Sequence, residues 1–127
     1  MRFPFDKSFG LVVVDICLEL AGRRVATQAA IDTGASYTVI HSEIIHFLGT
    51  TPKALRKPVV VATARGTEEI AKVRLDKIIS LGKSIKRFEV LCHDLPPTAR
   101  VQGLLGANFL SRFKVVINYR KGYVELA

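Results

Sequence analysis

The sequence predicts an all-β domain, a closed or strongly curled sheet that carries one or two short helices. Apolar residues recur with the period of a half-buried strand, most clearly at Val12, Val14, Ile16, Leu18 and Leu20. Turn signals punctuate the chain at short, regular intervals, as all-β barrels require. Helical spacing is confined to two short stretches, 42–49 and 107–113. With 127 residues, 49% of them hydrophobic, the chain suits one domain spanning residues 1–127 that buries a core without disulfides or metal.

Each element follows from local chemistry. The strand over residues 11–20 is turned by "AGRR", and "VATQAAI" returns as a second strand that ends at Asp32. After a run of small residues, "YTVI" resumes an extended apolar segment. In "SEIIHFLG", Ser42 can cap a helix, Glu43 suits its first turn, Ile44, Ile45 and Leu48 share a face, and Gly49 ends it. His46 falls on that helix's surface. A basic loop is expected around Pro52 and Pro58. "VVVATA" and "TEEIAKVRL" read as a hairpin turning at Arg65-Gly66, and "KIISL" and "IKRFEVLC" as a second around Gly82-Lys83-Ser84. The paired prolines of "HDLPPTAR" make a loop, because proline cannot donate to a ladder. "GLLGANFLSRF" gives a short strand, a glycine and two helical turns with Phe109, Leu110 and Phe113 facing inward. "KVVINYRKGYVEL" closes the chain with two short strands around Lys121-Gly122.

Composition excludes several classes of function. Cys17 and Cys92 lie far apart in strand-like apolar runs, which points to two reduced core thiols. Neither forms a CxxC, and His41, His46 and His93 do not combine with them at metal-ligand spacing, so no metal site and no cofactor are expected. The net charge of +8 would attract a polyanion, but the basic residues are scattered in ones and twos without a nucleic-acid-binding motif. They read as a solvated surface, and no nucleic-acid partner is expected. Asp15 and Glu19 break the best apolar run, which argues against both a membrane segment and a signal peptide, and so for a cytoplasmic protein.

One short stretch does not reduce to packing. "AIDTGAS", residues 30–36, sets Asp32 between an apolar approach and a small-residue exit. An Asp-Thr-Gly can be a plain turn, with Asp accepting local backbone hydrogen bonds and Gly supplying a positive φ. An ordinary surface turn, however, has no need of Ala29, Ala30 and Ile31 before it or of "YTVI" after it. Small and apolar flanks imply a turn packed inside something.

The order of the pieces resembles the retropepsin-like aspartic proteases, in particular their small single-domain bacterial members. "AAIDTGASYTVI" is similar to the catalytic strand and loop, "VVVATARGTEEIAKVRL" to the flap hairpin, "GLLGANFL" to the paired hydrophobic-hydrophobic-Gly element with its helix, and "VVINYRKGYVEL" to the closing strands. The resemblance implies an aspartic endopeptidase of retropepsin-like barrel fold. It makes Asp32 the catalytic carboxylate. Amide hydrolysis needs one group to take a proton from water and another to give one to the peptide, and two close carboxylates sharing a proton do both. Asp6, Asp15, Asp76 and Asp94 are not followed by a second Asp-Ser/Thr-Gly motif, so the second carboxylate must come from another copy in a homodimer.

Other roles carry over from the motif. Thr33 would hydrogen-bond across the dimer axis, Gly34 would lend its N–H to the carboxylates, Ala35 fits the dimeric branch, and Ser36 would add a local hydrogen bond. Ala64, Arg65 and Gly66 would form the tip of a flap that closes over an extended polypeptide substrate. The arginine departs from the glycine-rich retroviral flap, and it reads equally as a stiffener, as a contact for acidic substrate groups or as a solvent-facing charge. The closing strands would join the dimer interface. A protease-like dimer that binds peptides or acts as a scaffold without turnover is the alternative.

Overall fold

The computed structural model describes residues 1–49 and 58–127. Among these residues, ten strands and two short α-helices follow in order: β1 (Arg2–Pro4), β2 (Val13–Leu20), β3 (Arg23–Ile31), β4 (Thr38–Ile40), α1 (Ser42–Phe47), β5 (Pro58–Thr63), β6 (Gly66–Ser80), β7 (Lys83–Cys92), β8 (Gly103–Leu105), α2 (Ala107–Leu110), β9 (Val115–Asn118) and β10 (Tyr123–Leu126). Seven strands run in the order β2-β3-β8-β4-β7-β6-β5, and an added β2–β6 pairing closes six of them into a barrel with β5 outside. The expected all-β, closed architecture is therefore what the chain adopts. A second, three-stranded sheet has the order β1-β10-β9.

The period-2 pattern of β2 explains the barrel wall. Val14, Ile16 and Leu18 are buried, while the intervening Asp15 is exposed opposite Gln28. The β2–β3 turn has two central residues at positive φ, Ala21 at 50° and Gly22 at 80°, the geometry that matches strand twist in a tight hairpin. Inside, Phe109 is fully buried and meets Phe88 edge-on at 6.1 Å and Phe113 at 5.3 Å. Leu18, Ile40, Ile45, Leu75, Ile78 and Leu105 complete this centre.

Several local expectations are corrected. The stretch read as two strands, "TEEIAKVRL" and "KIISL", is the single 15-residue strand β6. Asp76 does not break it: its carboxylate faces outward and accepts a hydrogen bond from Ala21 N at 2.9 Å, and the backbone distortion falls instead on Arg87, at φ 53°. The β5–β6 turn lies one residue earlier than expected, because Thr63 pairs with Gly66 and leaves Ala64 and Arg65 as the loop. Helix α2 is one turn rather than two, and turn hydrogen bonds from Arg112 N and Phe113 N carry it to Phe113. The basic loop expected around Pro52 lies outside the described residues, and Pro58 opens β5. The strand at residues 2–4 was not foreseen: it is three residues long and contains proline.

Helix α1 buries Ile44, Ile45 and Leu48 as its spacing predicts, and Gly49 ends it at φ 88°. Its cap differs. His41 Nδ1 accepts the hydrogen bond from Glu43 N at 3.1 Å, while the Ser42 hydroxyl donates to the Asp94 carboxylate. That bond, with the nearby His41 and His93, holds the Asp94 carboxyl below its ordinary value of 3.8. A depressed folded-state pKa contributes stability above the unfolded value that is lost as pH falls through the folded one. Asp94→Asn should therefore lose less stability than wild type below about pH 4, by a small margin because the carboxylate is exposed; urea midpoints across that range measure it. Phe109→Ala should cost about 3–5 kcal/mol in the same assay.

Candidate active site

The site is built where β8 inserts between the strands that enter and leave the Asp-Thr-Gly loop. β8 pairs parallel with β3 (Ala30 with Leu104, Ile31 with Leu105) and antiparallel with β4 (Val39 with Leu104, Ile40 with Gly103). The segment from Asp32 to Tyr37 must therefore cross over the end of β8. Asp32 N donates to Leu105 O at 3.0 Å, which pins the start of the crossing. Gly106 lies beneath it. A Cβ there would stand 2.5 Å from Tyr37 O and 2.9 Å from Ala35 O, so only glycine fits.

The far side of the crossing is held through α2. Ala107 N donates to Ala35 O at 2.7 Å and Asn108 N to Ser36 O at 3.0 Å. Thr38 is fully buried; its hydroxyl accepts from Gly106 N at 3.1 Å and donates to Asn108 Oδ1 at 2.9 Å. Small side chains at Ala35 and Ser36 let these backbones approach. The aliphatic run before the motif is buried at Ala29 and Ala30, half-buried at Ile31.

Within the loop, Asp32 is half-buried and its Oδ1 accepts a hydrogen bond from Gly34 N at 3.0 Å, while Ala35 N donates to Asp32 O at 3.2 Å. Asp does accept local backbone bonds, as a turn would have it, but Gly34 has no positive φ. Its Cβ position meets only Asp32 Oδ1, at 3.4 Å. Thr33, Gly34 and Ser36 are exposed on the protomer. The turn is thus packed beneath, in keeping with its small and apolar flanks, and open above.

Asp32, Gly34, Ala35 and Ser36 line one cleft of about 550 Å³ together with Tyr37, Val39 and Leu91 and with Val60, Val61 and Ala62 of β5. The hairpin predicted as a flap does face the Asp32 loop, but it is the β5 strand that forms the wall. Ala64, Arg65 and Gly66, the expected tip, are exposed further along the hairpin and do not line the cleft. Tyr37 and Leu91 were missed in the sequence. Tyr37 directly follows the motif and could have been found; Leu91 arrives through the parallel β4–β7 pairing, which no local pattern announces. Beside Tyr37, Lys72 pairs with Glu89 at 2.9 Å, and that bond holds the lysine above its ordinary value and charged. Among the described residues, no group of His, Cys, Asp and Glu side chains converges to hold a metal ion, and no helix is long and apolar enough to cross a membrane.

Residues 18–112 match the family model described as "gag-polyprotein putative aspartyl protease". The chain belongs to this aspartyl protease family. The matched region begins in β2 and runs past α2, so it takes in the Asp32 loop, the β5–β6 hairpin and β8. A retropepsin-like aspartic protease from Rickettsia conorii has the same fold, with a TM-score of 0.75, 24% identity and coverage of 99% of this chain and 88% of that one. No curated protein matches. Among the described residues Asp32 is the one carboxylate that lines the cleft, and one carboxylate can hold or release a proton but cannot be base and acid in the same step.

The two glycines separate packing from chemistry. Gly106→Ala should destabilise the protomer by about 3 kcal/mol, the upper range for overpacking against backbone, whereas Gly34→Ala should stay within about 1 kcal/mol. Urea unfolding of both variants checks the contrast. Thr38→Val should cost about 1–3 kcal/mol because it leaves Gly106 N without its acceptor.

Proposed function

We propose that the protein is an aspartic endopeptidase whose active site forms when two copies meet on a twofold axis, bringing Asp32 of each chain into one dyad. The observation that carries this reading is the half-built site itself. Asp32 sits half-buried at an apolar cleft, oriented by Gly34 N, with Thr33 and Gly34 exposed beside it where a second copy would dock. An isologous pair about that point contributes the missing carboxylate without any new residue.

In this mechanism one carboxyl is protonated and its partner ionised, and a water lies between them. The ionised group takes a proton from the water as its oxygen attacks the peptide carbonyl, and the protonated group supports the carbonyl oxygen. The tetrahedral intermediate collapses as a proton passes to the leaving amine, which restores the dyad. Water is the only co-reactant, and the chemistry calls for no metal, cofactor or covalent intermediate. Thr33 would brace the two loops across the axis. Ala35 and Ser36 keep the loop's profile low where α2 supports it.

The polypeptide substrate would lie extended along the cleft, its apolar side chains against Val39, Val61 and Leu91, with the β5–β6 hairpin and its tip at Ala64, Arg65 and Gly66 closing over it to exclude water. Among the described residues β5 is the last strand of its sheet, so its outer edge could also hold a peptide strand without cleaving it, as a silent peptide-binding or scaffold module would. Cytoplasmic placement is in keeping with two free cysteines, Cys17 and Cys92.

Cleavage of a diverse peptide library from acidic to neutral pH, by wild type and by Asp32→Asn, tests the reading. Wild type should cut and the variant should fall by at least about 10²–10⁴-fold, with sedimentation showing both as dimers. Equal cleavage by the two proteins would sink the proposal. Peptide binding without cleavage by wild type would favour the silent module.

A further inference from the structure

Asn108 stands out from the rest of α2, because its side chain and backbone join three segments that are remote in sequence. Oδ1 accepts from Thr38 N at 2.8 Å and from Thr38 Oγ1 at 2.9 Å, Nδ2 donates to Glu89 O at 2.7 Å, and its backbone N donates to Ser36 O. A directed chain results. Gly106 N–H donates to Thr38 Oγ1, the Thr38 hydroxyl to Asn108 Oδ1, and the Asn108 amide to the carbonyl of β7. The donor end and the acceptor end of the amide are each required by fixed backbone, so its orientation is determined by its partners.

We infer that Asn108 is a positioning residue for Asp32: it clamps the exit of the catalytic loop to β7 and so sets the height of the loop over β8. This rests on the proposed protease function. The entry to the loop is fixed by Asp32 N on Leu105 O, and the loop's internal bonds run only from Asp32 to Ala35. Ala107 N holds Ala35 O; from Ser36 to Thr38 the hold passes through Asn108, with Gly106 N on the Thr38 hydroxyl beside it. A change of its amide therefore moves the carboxylate relative to its mate across the dimer axis, where small displacements cost rate more than binding.

Asparagine is also the side chain whose chemistry can be dissected by a single atom. In Asn108→Asp, an ionised carboxylate still accepts from Thr38 but faces Glu89 O with no proton to donate. A protonated carboxyl supplies both a donor and an acceptor and restores the chain. The charged or titratable groups around this position are the Glu89 carboxylate paired with Lys72, Arg74 opposite Glu89 in the ladder, Tyr37 under the Lys72 ammonium, and Asp32 itself. All are present in wild type as well, so the ratio of variant to wild type isolates residue 108.

The experiment measures kcat and KM for wild type, Asn108→Asp and Asn108→Leu across pH, and amide hydrogen exchange of the same proteins. For Asn108→Asp, the kcat ratio to wild type should lie within about threefold at low pH and fall at least about tenfold as the new carboxyl ionises, with KM within about twofold. Exchange of the amides of residues 35–38 and 106–108 should speed up over the same pH window, while Leu75 and Ile78 in the barrel stay protected. Asn108→Leu should show the loss at every pH. A pH-independent ratio, or exchange that rises equally throughout the barrel, overturns the inference, since either describes a merely structural residue. If wild type cleaves nothing, the protease reading fails by itself, and the exchange measurement alone decides whether Asn108 clamps the loop.

Discussion

The insertion of β8 between β3 and β4 is the constraint from which the rest of the site follows. Two strands joined by a short loop usually pair with each other, and here a strand more than sixty residues downstream separates them. The Asp32 loop then has to bridge a full strand's width, and backbone lies on backbone at Gly106. The crossing removes the loop's polar groups from the ordinary ladder. They are met one by one, by Leu105 O, by Asp32 within the loop and by the Ala107 and Asn108 N–H groups of α2. In this way a surface loop acquires the rigidity of core, and Asp32 is held in a fixed place at the cleft.

The closed barrel supplies the frame for that crossing. β6 is long enough to serve two partners: Ala71 to Ser80 pair with β7, and Lys77 to Ser80 also reach β2 and close the wall. Beyond the wall the terminal sheet is complete within a single chain, because β10 lies between β1 and β9. Its central strand has both edges occupied, so if these strands contribute to a dimer they do so through β1, β9 or a face of the sheet.

Much of this was legible in the sequence, for identifiable reasons. The strands of the wall announce themselves because one face is buried and the other is wet, as at Val14, Asp15 and Ile16. "AIDTGAS" was legible as a site because its flanks were too apolar for a surface turn, and Ala29 and Ala30 are indeed buried. What could not be read was non-local. The role of Asp76 depends on Ala21, the cap of α1 on a competition between His41 and Ser42 that Asp94 decides, and the need for glycine at 106 on a loop seventy residues earlier. Asn108 gave no signal of its own, since a polar residue in a short amphipathic helix reads as a solvent-facing one until its three partners are known.

The hairpin over the cleft is held differently from everything else. From Gly66 to Ile70, β6 pairs with β5, and the β7 ladder begins only at Ala71, so the outer half of the hairpin is a two-stranded ribbon. Such a ribbon is marginally stable by itself and opens at a small fraction of the global free energy. A Glu68–His93 pair between the hairpin and the body is 3.5 Å long with both side chains in contact with solvent, a geometry that contributes little in water. The barrel and the β8 crossing are the opposite case, with buried side chains and fully paired backbone. The fold thus sets Asp32 on a rigid support beside a hairpin held by less, and in the proposed protease that difference would let the hairpin move over a substrate while the carboxylate stays in place.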